Sequence, residues 1–181
     1  RFGRLERVAD GIWALISTPL DGDRTTLCNG GLVRGRDGVL AIEAFMEPRG
    51  AEWLASRARE LTGRWPTHVV LTHYHADHSG GNTRFTSVAE IISTRAAREG
   101  IVKRIQSNAP DNMVPARVTF TEETSVFLGG HEVRARHFGR GHTNGDAVVY
   151  FPDLKVIHTG DLFTSGTPLI DYPVGGSLVE W

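Results

Sequence analysis

The chain has one cysteine, Cys28, among 181 residues. No intrachain disulfide is therefore available, and the fold must rest on a buried apolar core. Neither charge is in surplus: 20 Lys and Arg face 21 Asp and Glu, a formal net charge of −1. Dedicated nucleic-acid and anionic-membrane binders are usually basic, so both classes are disfavoured and a small-molecule substrate is expected. No apolar run approaches the ~18 residues needed to span a bilayer. The longest, such as His68-Val69-Val70-Leu71, have the length of buried strands. Repeats, low-complexity tracts and linkers are missing as well, so residues 1–181 read as one domain. With 40% hydrophobic and 23% charged residues the composition is that of an ordinary globular chain.

Strand and helix signals alternate along it. Gly11 to Ser17 alternates and is rich in β-formers. Leu27 to Val33 and Val39 to Phe45 flank an Asp37-Gly38 turn and predict a hairpin. Pro48 opens a helix through Leu61, with Trp53, Leu54, Ala58 and Leu61 on one face and Gly63 as its stop. Thr67 to Leu71 and Val88 to Ile92 read as buried strands. Ser93 or Thr94 caps a helix running to about Gln106. Asn108 to Pro115 reads as a polar loop. Short strands follow at Val118 to Phe120, Ser125 to Leu128, His131 to Phe138, Asp146 to Phe151 and Lys155 to Thr159, joined by turns at Gly129-Gly130 and Pro152-Asp153. Strands outnumber helices, and the helices fall between groups of strands. The expected fold class is α/β, with sheets covered by helices on their outer faces.

The chemistry concentrates in Thr72-His73-Tyr74-His75-Ala76-Asp77-His78-Ser79-Gly80-Gly81, directly after a buried strand. His73 and His75 are two apart, so in an extended chain both rings point the same way. The chain must then turn, and Asp77 and His78 face a neighbouring point. Imidazole and carboxylate are ligands zinc accepts, about four to an ion. Asp77 and His78 do not reach the ion of the first pair without strain, so two adjacent sites are expected, sharing one water between metals ~4 Å apart.

His73-Tyr74-His75-Ala76-Asp77-His78 matches the HxHxDH signature of the metallo-β-lactamase superfamily, and the chain resembles that family in two further segments. Gly141-His142-Thr143-Asn144-Gly145-Asp146 is similar to its third-histidine motif, and His158-Thr159-Gly160-Asp161-Leu162-Phe163 to the strand that ends in its metal-bridging aspartate. The resemblance implies an αββα four-layer sandwich with the metals at one edge between two sheets. It implies a first zinc on His73, His75 and His142, and a second on Asp77, His78 and Asp161, with Asp161 bridging. The family supplies one more second-site histidine further on, but no histidine follows Asp161 here. The expectation is a chain lacking the last strand and helix, a weakened second site, and a possible partner copy over the uncovered surface. Glu43 stands where many members carry Asp and is expected to brace the metal loop.

The activity implied is that of a zinc hydrolase. A metal-bound hydroxide attacks an ester, thioester, lactone or amide bond, β-lactams included, while Asp77 orients it or moves its proton. Two alternatives stand beside it. One is a mononuclear iron oxidoreductase resembling the persulfide dioxygenases, which keep the HxHxDH motif. The other is a catalytically incomplete metal-binding fragment. A nuclease is disfavoured by the near-zero charge. Among the remaining residues, His68, His131, His137 and His158 are expected as packed or surface strand histidines, and Cys28 as a small core residue. Arg95, Arg98, Lys103 and Arg104 are expected on an exposed helix face. Arg140 is solvated or reaches an anionic substrate group. Phe45 and Met46 wall the pocket or join the core, and the Thr18 to Thr26 loop flanks the site.

Overall fold

The computed structural model describes residues 2–107 and 113–181. A seven-stranded sheet runs, in spatial and chain order, through β1 (Gly3–Ala9), β2 (Ile12–Ser17), β3 (Gly30–Arg34), β4 (Val39–Ile42), β5 (His68–Val70), β6 (Glu90–Thr94) and β7 (Val118–Phe120). The first four strands pair antiparallel, and β4 through β7 pair parallel. Parallel neighbours need crossovers, and helices α1 (Pro48–Thr62) and α3 (Arg95–Gln106) supply two of them. A second, antiparallel sheet has the order β11-β10-β9-β8, built from β8 (Glu123–Phe127), β9 (Glu132–Arg136), β10 (Val148–Phe151) and β11 (Val156–His158).

Local chemistry explains the helices. Pro48 sits in the first turn of α1, where its missing N–H is no loss. Leu54, Ala55 and Ala58 bury one face, and Gly63 closes the helix at φ 76° by donating its N–H to Arg59 O. The Thr94 hydroxyl caps α3, accepting from Ala97 N at 3.0 Å. The expected hairpin forms with Arg34 opposite Val39. One difference from the sequence reading has a backbone cause. Leu27 has φ 65° and Phe45 has φ 60°, as does Glu43 at 69°, so the strands flanking that hairpin are shorter than the apolar runs. The segment Gly3–Ala9, rich in charge, is an edge strand. Of the expected polar loop at 108–115, residues 108–112 lie outside the described residues.

One apolar cluster lies between the seven-stranded sheet and its helices, gathering Leu15, Leu32, Ala41, Leu54, Val69 and Ile101. A second lies between the sheets, where Val33, Leu40, Ile42, Val70 and Ile92 meet Val133, Val149 and Phe151. Among the described residues, only strands and short 3-10 turns follow β7, and Phe127 and Ile157 stand exposed on the outer face of the smaller sheet. The carboxyl ends of β4, β5 and β6 open on one edge, together with the loops after β9 and β11. At such an edge a rigid scaffold presents chemistry on loops.

Candidate metal centre

The HxHxDH segment leaves β5 through Leu71 and Thr72. Its second half forms a single helical turn, α2 (Ala76–Ser79), with His75 at the N-cap. Ser79 Oγ ties that turn down by donating to the carbonyls of Tyr74 and His75. Gly80 and Gly81 pack so closely that a Cβ on either would fall 2.3 Å from a carbonyl of the β4–α1 connection, Met46 O or Ala44 O. Only glycine allows the metal loop to press against that backbone. Asn82 pins the loop from the other side, donating to Val114 O at 2.7 Å and accepting from Val114 N at 2.8 Å.

Two groups of side chains converge. Nε2 of His73 is 3.0 Å from Nδ1 of His75, which is 2.9 Å from Nε2 of His142. Beside them, Nε2 of His78 lies 3.2 Å from Asp161 Oδ1 and 3.5 Å from Asp77 Oδ2. The second carboxylate oxygen of Asp161 is 3.5 Å from Nε2 of His142, so Asp161 stands between the groups. His73, His78 and Asp161 also fall within one ligand-sized cluster. All six residues singled out in the sequence thus meet at one edge.

The hydrogen bonds on the far side of each ring fix its tautomer. The Thr72 hydroxyl donates to Glu43 Oε1 at 2.5 Å, so at 3.0 Å from Nδ1 of His73 it must accept. Nδ1 of His142 is 2.6 Å from Leu169 O, and Nε2 of His75 is 2.7 Å from Asp171 Oδ2. Nδ1 of His78 is 3.0 Å from Glu43 Oε1. Each of these partners is an acceptor, so each outward nitrogen carries the hydrogen. The inward nitrogens of His73, His75 and His142 are left as lone pairs facing one another, which is repulsive unless a cation sits among them. Burial pushes His73 well below its ordinary pKa of 6.5, reinforced by the neighbouring imidazoles, and burial also lowers His75.

His78 behaves differently. Burial opposes its charged form, but Cys28, Glu43 and Asp161 around it raise its pKa well above 6.5. Its side chain is 3% exposed, and Nε2 makes no hydrogen bond. A buried polar atom without a partner is costly; here it faces two carboxylates at the distances just given. Asp161 is itself held below the ordinary carboxylate value, against burial, by His78 and then His142 and His75. The donor set is three neutral imidazoles, then an imidazole with two carboxylates. It fits divalent cations that take nitrogen and oxygen ligands.

Other expectations resolve as follows. Glu43 is fully buried and braces the metal loop, with Oε2 also accepting from Thr72 N at 3.2 Å. Phe45 is fully buried, so it belongs to the core rather than the pocket wall. Arg140 is paired with Glu180, at 2.9 Å from Nε. His131 meets Asp153 and His137 meets Asp146 O, both as strand-edge contacts. Arg98 donates to Ala116 O rather than standing free on its helix. Cys28 and His158 line a cleft of about 540 Å³ beside the second group, along with Asp77, His78 and Asp161. Pro19 and Leu27 border that cleft, so the 18–26 loop and its neighbour do flank the site. Two braces were missed. Asp171, whose Oδ2 also accepts from Tyr74 OH at 2.6 Å, is 96 residues from His75. Leu169 acts through a carbonyl that every residue possesses.

The model of the metallo-beta-lactamase superfamily matches residues 23–180. The chain is 32% identical over 133 residues to metallo-beta-lactamase type 2 of Elizabethkingia meningoseptica, covering 71% of this chain and 49% of that protein. It is 27% identical over 166 residues to the alpha subunit of 2,4-dinitroanisole O-demethylase of Nocardioides sp. (strain JS1661), covering 91% and 45%. The chain thus spans about half the length of these curated relatives. Among solved structures, the DIM-1 metallo-beta-lactamase exposed to ceftazidime matches with a TM-score of 0.75 at 22% identity, over 99% of this chain and 79% of that one. A metallo-beta-lactamase from Pontibacter korlensis matches at 0.69 and 20%, over 83% and 67%. At such identities the structural likeness speaks for the fold, while the match over residues 23–180 speaks for descent: the chain belongs to the metallo-β-lactamase superfamily.

Proposed function

We propose that this chain carries the metal centre of a zinc-dependent hydrolase acting on a small substrate with an ester, thioester, lactone or amide bond. The observation that carries the reading is the set of committed tautomers: four imidazoles have their outward N–H groups engaged and their inward nitrogens gathered within a few ångströms. His73, His75 and His142 would hold a first ion, and Asp77, His78 and Asp161 a second, with Asp161 reaching toward both. The chemistry supplied by zinc when bound is a water acidified from about 15.7 toward ~7 and a polarised substrate oxygen.

The protein's own groups divide the remaining work. Asp77 is one-third exposed and lines the cleft. Its carboxylate orients the attacking water and takes its proton. Leu27, Ile16, Ile157 and Phe163 give the cleft apolar walls. Among the described lining residues none is Lys or Arg, and Arg140 is engaged by Glu180. No fixed cation waits for a substrate carboxylate, which favours an uncharged substrate over an anionic one.

Elemental analysis of protein purified without added metal, followed by turnover of an ester, a lactone and a β-lactam, tests the reading. Zinc with turnover of the neutral substrates is expected. Iron in place of zinc, or zinc without turnover of any of the three, would overturn it.

A further inference from the structure

Three side chains with a hydroxyl or amide group line the cleft beside the second group: Ser17, Asn29 and Thr159. Two of them spend their hydrogens inside the protein. The Thr26 hydroxyl donates to Phe2 O at 3.1 Å, so in its 2.6 Å contact with Ser17 Oγ it accepts, and the Ser17 hydrogen is taken. Thr159 Oγ1 donates to Gly160 O at 3.2 Å. Asn29 differs. Its Oδ1 accepts from Ser17 N at 3.0 Å. A backbone N–H can only donate, so this bond fixes the amide with its oxygen toward Ser17 and leaves Nδ2, with two hydrogens, on the other side. Asn29 is exposed, and among the described residues no acceptor meets Nδ2.

Position decides what this donor can meet. Ser17 ends β2, and β2 lies three strands from β5, which carries the metal loop. Asn29 thus stands at the β2 end of the cleft, where Ile16, Pro19 and Leu27 make the surroundings apolar. A pre-set donor among apolar walls discriminates against a ligand that offers it no acceptor. We propose that Asn29 is a specificity residue, its amide donating to an uncharged acceptor oxygen, carbonyl or ether, in the part of the substrate away from the scissile bond. The inference rests on the hydrolase reading above and narrows it: the substrate is a neutral ester, thioester, lactone or amide whose remaining body carries such an oxygen.

The test compares the zinc-loaded full chain on the para-nitrophenyl esters of levulinate and valerate, which share a carbon skeleton and differ by one ketone. The expected result is a KM about tenfold lower for the levulinate ester at similar kcat, the effect of one net hydrogen bond made in the ground state. Asn29→Asp keeps an oxygen for Ser17 N–H and puts a second oxygen where Nδ2 was, so the structural bond survives and the donor is lost. The levulinate preference should vanish in that variant, whereas a residue that only held Ser17 would leave it in place. Binding is read separately in isotope-labelled, chelator-treated full chain, where the methyl esters of the same acids persist. The Asn29 side-chain amide protons should move downfield with methyl levulinate and not with methyl valerate, which decides even if the variant does not fold. Turnover of both esters at equal KM, or a preference that survives Asn29→Asp, sinks the proposal and leaves the hydrolase reading standing. Turnover of neither ester with the amide shift present sinks the hydrolase reading and keeps Asn29 as a donor to a bound oxygen. Neither turnover nor shift sinks both.

Discussion

Glu43 Oε1 lies 3.0 Å from Nδ1 of His78 and accepts from the Thr72 hydroxyl at 2.5 Å, so one buried carboxylate orients a histidine of each group, His78 directly and His73 through Thr72. The backbone is bent to achieve this, with Glu43 at φ 69° and fully buried. All three hydrogen bonds to its carboxylate are donated to it, so an amide cannot replace it without turning an N–H toward a donor. Glu43→Gln should therefore destabilise the metal-free protein by on the order of 3 kcal/mol and weaken zinc binding about 10- to 100-fold. Urea unfolding with and without zinc measures both. Wild-type midpoints in each condition would remove Glu43 from the metal centre's support.

Asp171 does the corresponding work for His75. Its Oδ2 takes the His75 N–H at 2.7 Å and the Tyr74 hydroxyl at 2.6 Å. Its own backbone is tied to His142 O, 2.8 Å from Asp171 N. Asp171→Asn should lower affinity for the first ion about 10- to 100-fold. Tyr74→Phe leaves the His75 bond intact and should cost only a few-fold by the same scale. Competition with a chromophoric chelator gives both constants. Equal effects from the two variants would mean that Asp171 matters through Tyr74 packing rather than through His75.

Asp77 is about one-third exposed and lines the cleft, so little of the core rests on its side chain. Asp77→Ala should retain its fold by circular dichroism while turnover falls by about 100-fold or more, the range of a lost general base. Near-normal turnover would return proton transfer to another group, and His158 on the same cleft would be the next to test.

The candidate ligands that converge were legible because each belongs to a short local motif: His73 to His78 after β5, His142 between β9 and β10, Asp161 after β11. The helices were legible for similar reasons, Pro48 and Gly63 bracketing α1 and Thr94 capping α3. The braces were not. Leu169 contributes a backbone carbonyl, and Asp171 a carboxylate whose partner is fixed only by the tertiary fold. β1 escaped because Arg4, Glu6 and Arg7 break any clean alternation along an edge with few buried positions, where charge is expected in a loop as much as in a strand. Cys28 read as core by composition; its burial was anticipated, but its place beside His78 depends on the turn at Leu27.

Stability of the metal-free protein should depend on pH with two limbs. Burial lowers His68, His73, His75 and His158 below their ordinary 6.5. Between each folded value and 6.5 the unfolded chain binds more protons, so stability is present above 6.5 and lost as pH falls through the folded values. His78 has the opposite sign. Its folded pKa is raised by Cys28, Glu43 and Asp161 against burial, so its contribution is complete below 6.5 and lost as pH rises through the folded value. Four groups act on the acid limb and one on the alkaline limb, so the acid limb should be the steeper. Urea midpoints in chelator from about pH 5 to 9 should fall on both sides of a maximum. His78→Gln should flatten the alkaline limb and leave the acid limb in place; an alkaline limb that survives in that variant would mean His78 is not protonated in the metal-free site.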